Sequence, residues 1–328
     1  MTSPAPFAQF AQRSTPGVAS AVAVFELVGD VDRACLALGL TAPAVGRAAL
    51  CIMPGVDTLL VIRPADDLLL VTPHGGVGVC RALGRALRDA GLPRREGAPY
   101  WPEAAGEVEA RMLSTLASVR GHRAVRLLLD QPARWASGLP PVPQAVAAEL
   151  ARLLRPPLVV ATGPANVGKS SLANALASRP VARVADRPGV TRDAVAVDLE
   201  LDGLVVRWLD APGVDRAEDA VLAQAQALAA IAIEAADLVL WCQDAWDVSQ
   251  RPPDPSSRWL RLAMRADRGF GPSPGVMPAW ADAMVSAHTG LGLAELASQI
   301  RRRLVGDAAL SHPGAWAFWE PTPPSDPP

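Results

Sequence analysis

Residues 163–170 read Gly-Pro-Ala-Asn-Val-Gly-Lys-Ser, that is Gly, four residues, Gly, Lys, Ser. Glycine at both ends lets the backbone turn successive N–H groups toward one point, where a phosphate fits. The candidate binding residues are Gly163, Asn166, Val167, Gly168, Lys169, Ser170 and Ser171. Lys169 would reach terminal phosphates, and the Ser170 hydroxyl is an oxygen ligand suited to Mg²⁺. At this chain's residue frequencies an accidental match arises in roughly one of two thousand such sequences, so the spacing is chemical. Lys169 is also the only lysine, beside 30 arginines. A composition that puts arginine wherever a general charge suffices keeps lysine where a compact ammonium is needed and a wide guanidinium does not fit.

The surrounding pattern supplies the elements such a loop requires. The apolar run 158–161 after Pro156-Pro157 predicts a buried strand, and Leu172, Ala175 and Leu176 predict a helix over 170–178. Downstream comes a polar loop, 186–193, containing Thr191. Val195, Val197, Leu199 and Leu201 alternate, Asp202-Gly203 turns the chain, and Val205 and Leu209 continue on a second strand. An Asp-Gly between alternating runs is a strong hairpin signal. The second strand ends in Asp210-Ala211-Pro212-Gly213, where the carboxylate would hold a Mg²⁺ water and the Gly213 N–H would meet a γ-phosphate.

The order of phosphate loop, threonine loop, hairpin and Asp-x-x-Gly resembles the translation-factor-like GTPases. The segments GPANVGKSSLANAL, DRPGVTRD and DAPG narrow the resemblance to the TrmE/MnmE, Era and Der group. It implies GTP or GDP as ligand, Mg²⁺ on Ser170, Thr191 and Asp210, and K⁺ beside Asn166. It also implies that Lys169, Thr191 and Gly213 form the catalytic set. Guanine selection in these families uses N-K-x-D and S-A-K. Met264-Arg265-Ala266-Asp267 aligns with the first, Asp267 accepting from the guanine edge and Arg265 stacking on the base, with Met264 in place of the asparagine. Ser286-Ala287 aligns with the second, its backbone N–H meeting guanine O6, and a helix over 293–304 closes the domain. These matches argue against an ATPase. Val214 follows the Asp-x-x-Gly, and the family's switch glutamate aligns with Leu222, near Glu218 and Asp219 but on neither. Slow GTP hydrolysis is therefore expected. The alternative is a GTP-binding regulatory module without turnover.

In the amino-terminal half, strands are predicted at 20–27, 48–53, 58–62 and 68–72, then a Pro73–Gly76 turn and a helix to about residue 90. With Thr15-Pro16-Gly17 and the His-Gly-Gly turn, this resembles the N-terminal domain of TrmE/MnmE, which Era and Der lack. Residues 103–155 resemble the start of its helical domain. The expected fold class is α/β: a P-loop GTPase domain, its mostly parallel sheet flanked by helices (157–306), after a small α+β domain (1–100) and a helical connector (101–156). A proline-rich tail (307–328) follows. The family's Thr-Gly-Glu-Asp is Pro64-Ala65-Asp66-Asp67 here, which speaks against a folate site, and its Cys-x-Gly-Lys has no counterpart, so the modification chemistry is not carried over. The expectation is a shortened, divergent member linked to tRNA modification or the ribosome, with homodimerisation through the N-terminal domain as a further implication.

Composition sets bounds. The chain has 328 residues, half of them apolar, a fifth charged, and a net charge of −2. This excludes a disordered chain and a bulk-basic nucleic-acid coat. Arg120, Arg123 and Arg126, and Arg301–Arg303, read as solvated helix positions rather than an RNA surface. His74 reads as a turn histidine on its own backbone or the lining of a ligand site. Cys35, Cys51, Cys80 and Cys242 lack metal-like spacing and read as small core residues in a reducing compartment. With no uncharged apolar run of membrane length and no basic leader, the expected location is cytoplasmic.

Overall fold

The computed structural model describes residues 6–14, 19–95, 101, 103–177, 196–211, 227–245, 253–254, 256–268 and 277–319, with the backbone of 181–183 and 220–226. The chain divides into two compact units, Met1–Ser118 and Val119–Pro328.

In the first unit the order is β1 (Ala8–Gln12), β2 (Phe25–Gly29), α1 (Val31–Leu38), β3 (Arg47–Met53), β4 (Asp57–Ala65), β5 (Leu68–Thr72), α2 (Val77–Asp89) and α3 (Glu107–Leu116). Its described strands form one antiparallel sheet, β1-β2-β5-β4-β3. Alternation along the strands puts Phe25, Leu27, Leu59, Val61, Leu69 and Val71 on one face, where they pack with Ala34 and Cys35 of α1 and with Leu83 and Leu87 of α2. On β2 the intervening Glu26 is fully buried, held by Arg13 at 2.8 Å and by Arg95. The first predicted strand is shorter than expected. Residues 20–24 run beside the His-Gly-Gly turn, with Ser20 N–H donating to Gly75 and Ala23 N–H to Pro73, and only Phe25 onward joins the sheet. A Cβ on Gly75 would lie 2.3 Å from the Ser20 carbonyl oxygen, so this approach requires glycine. His74 bonds a side chain and not its own backbone: its Nδ1 meets the Asp57 carboxylate at 2.9 Å.

The second unit runs α4 (His122–Leu129), α5 (Gln131–Ala136), α6 (Gln144–Ala151), β6 (Leu158–Thr162), α7 (Lys169–Leu176), β7 (Val181–Arg183), β8 (Val197–Leu201) and β9 (Leu204–Asp210). It continues with α8 (Ala220–Ala235), β10 (Leu238–Asp244), β11 (Trp259–Met264), β12 (Ala283–Met284), α9 (Leu293–Leu304) and α10 (Asp307–Leu310). The sheet order is β12-β11-β10-β6-β9-β8-β7, parallel from β12 to β9 and antiparallel at β8 and β7. Asp202 and Gly203, both at positive φ, form the expected hairpin turn between β8 and β9. Residues 315–318 pack into this unit, where Trp316 and Phe318 are buried and the Trp316 N–H donates to Gln131 Oε1 at 2.7 Å. Residues 320–328, the remainder of the proline-rich tail, lie outside the described residues.

Of the arginines read from sequence as solvated, Arg126, Arg302 and Arg303 are exposed as expected, whereas Arg120, Arg123 and Arg301 form structural ion pairs. Arg120 pairs with Asp198, His122 Nδ1 meets Glu200 at 2.8 Å, and Arg123 Nη2 donates to Asp202 at 2.6 Å. Arg301 is buried, and its Nε donates to the same Asp202 at 3.0 Å. Four polar contacts thus fix residues 120–123, at the start of α4, and α9 against the β8–β9 hairpin. The cysteines behave as expected in part: Cys35 and Cys242 are buried, Cys51 and Cys80 half-buried, and all are free thiols. Burial pushes the Cys35 thiol up to about 11, with the Asp32 charge adding to the shift.

Burial pushes the Asp202 carboxyl up, but the hydrogen bonds from Arg123 and Arg301 outweigh it and hold it below its ordinary value. A carboxyl with a depressed folded pKa adds stability above its unfolded pKa of about 3.9 and loses it as pH falls through the folded value. Asp202→Asn, which among the described residues leaves the buried Arg301 with Asp307 alone as a charged partner, is expected to cost about 3 kcal/mol at neutral pH. In urea unfolding followed by tryptophan fluorescence, the gap between wild type and variant should narrow below about pH 4.

Candidate nucleotide site

Three neighbouring parallel strands, β9, β6 and β10, bring their carboxyl ends to one edge of the second sheet. In open α/β sheets this edge, where neighbouring connections diverge, is where ligands sit. From β6 the chain leaves through Gly163 at φ +133°, and a Cβ there would lie 2.0 Å from the Cys242 carbonyl oxygen on β10. Only glycine allows that approach. Asn166 and Gly168 also take positive φ, at +58° and +103°, a region asparagine tolerates better than most residues. Val167 is buried beneath the loop, whereas Asn166, Ser170 and Ser171 are exposed at its mouth. The loop therefore makes a tight turn, with three positive-φ residues, into the start of α7, where a phosphate cradle is expected.

Lys169 is 8% exposed, and its Nζ donates to the carbonyls of Gly163 at 3.1 Å and Pro164 at 2.8 Å. The ammonium is thus held over its own loop. Ser170 Oγ donates to Asp210 Oδ2 across from the end of β9. The other carboxylate oxygen, Asp210 Oδ1, is buried and has no hydrogen-bond partner among the described residues. A hydroxyl and a carboxylate converge here with one buried oxygen uncompensated, a donor set that suits a hard divalent cation. Burial drives the thiol of nearby Cys242 up to about 12 despite the Lys169 charge, so it stays neutral.

On the other side of the loop, Met264 is buried, its Cε 3.8 Å from where a Gly168 Cβ would be. Arg265 takes positive φ, and its guanidinium donates to the Asn166 carbonyl and to Asp244 Oδ2, the latter at 3.1 Å. It ties the loop to the end of β10. Asp267 lies exposed on a short 3₁₀ turn, Ala266–Arg268. That turn is joined to the 285–287 loop by the Ala266 N–H, which donates to the Val285 carbonyl at 3.1 Å. Ser286 is buried: its Oγ accepts from the Thr289 N–H at 3.1 Å and its own N–H donates to Leu291 at 3.0 Å. Among the described residues the Ala287 N–H makes no hydrogen bond. Asp282 accepts from Arg261 Nη2 at 2.8 Å and fixes the approach to β12. These bonds from Arg261 hold the Asp282 carboxyl below its ordinary range.

Gly163, Asn166, Val167, Gly168, Lys169, Ser170, Ser171 and Asp210 are thus brought together, with Arg265, Asp267, Ser286 and Ala287 on adjoining loops. Thr191, Gly213 and Val214 lie outside the described residues, as does the side chain of Leu222. Two participants escape a motif reading. Cys242 contributes a backbone carbonyl, which leaves no sequence mark. Asp244 is an acid closing the apolar run of β10, a signal available in the sequence once β10 is placed beside β6.

Residues 158–265 match the family described as 50S ribosome-binding GTPase. The chain is 40% identical over 200 residues to the tRNA modification GTPase MnmE of Acidiphilium cryptum, covering 60% of this chain and 40% of the relative. The MnmE of a Methylobacterium species is 39% identical over 186 residues, covering 52% and 40%. Among solved structures, Aquifex aeolicus Era bound to GDP and aluminium fluoride is 24% identical, with a TM-score of 0.36, covering 45% of this chain and 56% of that one. The chain spans about two fifths of the length of these curated relatives. By its phosphate loop, sheet order and family match, the segment 158–265 is a P-loop GTPase domain, in a chain similar to the MnmE-type tRNA modification GTPases.

Proposed function

We propose that the chain binds GTP on residues 163–171 and hydrolyses it slowly to GDP and phosphate, in the service of tRNA modification or ribosome function. The observation that carries this reading is the pairing of Ser170 with Asp210 beneath a glycine-built loop, with the buried Asp210 Oδ1 left uncompensated. Ser170 and Asp210, with Thr191, would hold Mg²⁺, which supplies charge neutralisation at the phosphates. Inward N–H groups of the loop orient the phosphates, and Lys169 exchanges its two carbonyl partners for phosphate oxygens. The Gly213 N–H meets the γ-phosphate. Water attacks the γ-phosphorus, the bond to the bridging oxygen breaks, and GDP leaves with that electron pair. Asp267 accepts from the two guanine edge N–H groups and Ala287 N–H donates to O6. Asn166, exposed at the loop mouth, is the residue for K⁺. The names of the relatives support the link to tRNA modification. Four free thiols agree with a reducing, cytoplasmic setting, and no described helix is long and apolar enough to cross a membrane.

A second reading, a GTP-binding module without useful turnover, is favoured by Leu222 and Val214, which cannot orient a water, and by Met264, which offers the loop no hydrogen bond. Phosphate release measured in KCl and in NaCl separates the two. Slow, K⁺-stimulated turnover is expected, falling at least about 100-fold in Lys169→Ala. Tight GTP binding with no release in either salt would leave the second reading standing.

Base choice has its own test. Asp267→Asn replaces an acceptor by an amide that donates, so GTP affinity should fall by about 10–100-fold while xanthosine triphosphate gains. Equal loss of both would remove Asp267 from the base site. Homodimerisation is supported by an apolar patch on the outer face of the first sheet, where Leu50 and Ile52 are 75% and 74% exposed and Leu50 stands opposite Leu60. A dimer in light scattering that becomes monomeric in the Leu50→Asp/Ile52→Asp variant is the expected result. A wild-type monomer would refute it.

A further inference from the structure

Asp244 belongs to none of the nucleotide motifs. It ends β10 two residues after Cys242, whose carbonyl oxygen already bounds the phosphate loop at Gly163. β10 and β11 run parallel in a register that sets Asp244 beside Met264, and the Ala245 N–H donates to the Met264 carbonyl at 3.3 Å. The sheet thus places the Asp244 carboxylate next to the residue that follows Met264, which is Arg265. Asp244 Oδ2 accepts from Arg265 Nη1 at 3.1 Å, and Arg265 Nη2 donates to the Asn166 carbonyl. The two terminal nitrogens of one planar guanidinium therefore bridge the end of β10 and the phosphate loop.

Backbone conformation marks both ends of this bridge. Among the described residues, three that are not glycine take positive φ: Asn166 at +58°, Arg265 at +59° and Asp202. Residues with a side chain are strained in that region, and the strain persists where the surroundings over-determine it. Asp202 sits in a hairpin turn, whose geometry calls for positive φ. No turn joins Asn166 to Arg265, 99 residues apart in the chain; the guanidinium does. An arginine bound at one acceptor keeps much of its rotamer freedom, and a second, charged acceptor on a strand removes it. Asp244 is that second acceptor, and both members of the pair are partly withdrawn from water.

We infer that Asp244 is a positioning residue for the phosphate loop: through Arg265 it fixes the Asn166 carbonyl, and with it the tight turn of residues 163–168, in the conformation that receives phosphate. The inference rests on the reading of residues 163–171 as a nucleotide site. A loop held in this way has less conformational freedom to lose on binding. Because the bridge ends on the loop backbone, its contribution goes to the phosphates and is indifferent to the base.

The test is displacement of a fluorescent GDP analogue from the full chain, with Mg²⁺ present, by unlabelled GDP and by inorganic tripolyphosphate, which has no base. Asp244→Asn keeps the size and removes the charge, and is expected to weaken both ligands by the same factor, about tenfold. Asp267→Asn should weaken GDP alone, the pattern of a residue that reads the base. The Asp244→Asn/Arg265→Ala double variant should bind no more weakly than Arg265→Ala, since Asp244 acts through Arg265. A general structural contribution of Asp244 would instead multiply with that of Arg265. Should urea unfolding show Asp244→Asn to be destabilised, Arg265→Lys supplies the second measurement: one ammonium does not span both acceptors, so it should reproduce the loss for both ligands. Wild-type affinity in Asp244→Asn, a loss confined to GDP, or losses that multiply in the double variant overturn the inference while leaving the nucleotide site standing. A wild-type chain that does not bind the GDP analogue removes the nucleotide reading, and this inference with it.

Discussion

The phosphate loop depends on the approach of the Gly163 backbone to the Cys242 carbonyl. Because no Cβ fits between them, β6 can end flush against β10 and release the chain into a tight curl rather than a wide loop. That curl sets Val167 underneath and brings Lys169 Nζ back over the carbonyls of Gly163 and Pro164. The same parallel register that places Cys242 on one side of β6 places Asp210 on the other, within reach of Ser170. A side chain at residue 163 would disturb all of these positions together, since each is measured from the end of β6.

The second constraint is on the hairpin that carries Asp210. β9 begins at the Asp202-Gly203 turn, and that turn is gripped by Arg123 and by the buried Arg301. A Cβ on Gly203 would fall 2.5 Å from the His122 ring, so the turn sits directly against α4. One end of β9 is therefore held by charge and close packing while the other end presents its carboxylate. Removing one partner leaves a buried guanidinium under-compensated, and breaking such a pair costs far more than the intact pair contributes. The hairpin is more rigid than its short antiparallel ladder alone would make it.

What could be read from sequence follows from the range of each interaction. The phosphate loop, the β8–β9 hairpin and the helix over 293–304 rest on contacts within a few residues, and all appear where local spacing puts them. β1 and α1 leave no local signal. β1, AQFAQ, is a five-residue edge strand with two glutamines, and α1 is an eight-residue helix cut short by Gly39 at φ +65°. Neither is long enough to establish a period. The acidic partners of Arg120 and Arg301 are hidden from the sequence for the opposite reason: Arg120 and Asp198 are 78 residues apart, and Arg301 and Asp202 are 99 apart. Spacing along one helix face cannot reveal a partner supplied by a distant turn.

Arg265 illustrates how a conservative-looking exchange changes the task of a residue. At this position lysine would bring a compact ammonium, whereas arginine brings a planar fork with several donors. With the backbone at φ +59° the fork reaches the Asn166 carbonyl and Asp244 together. It supplies from the neighbouring residue a polar tie to the phosphate loop that buried Met264 cannot make. The charge of Asp244 then has a partner, and the loop gains a fixed point on its outer side that complements the Gly163 contact on its inner side. The tie between the end of β11 and the phosphate loop is thus carried by Arg265 and not by Met264.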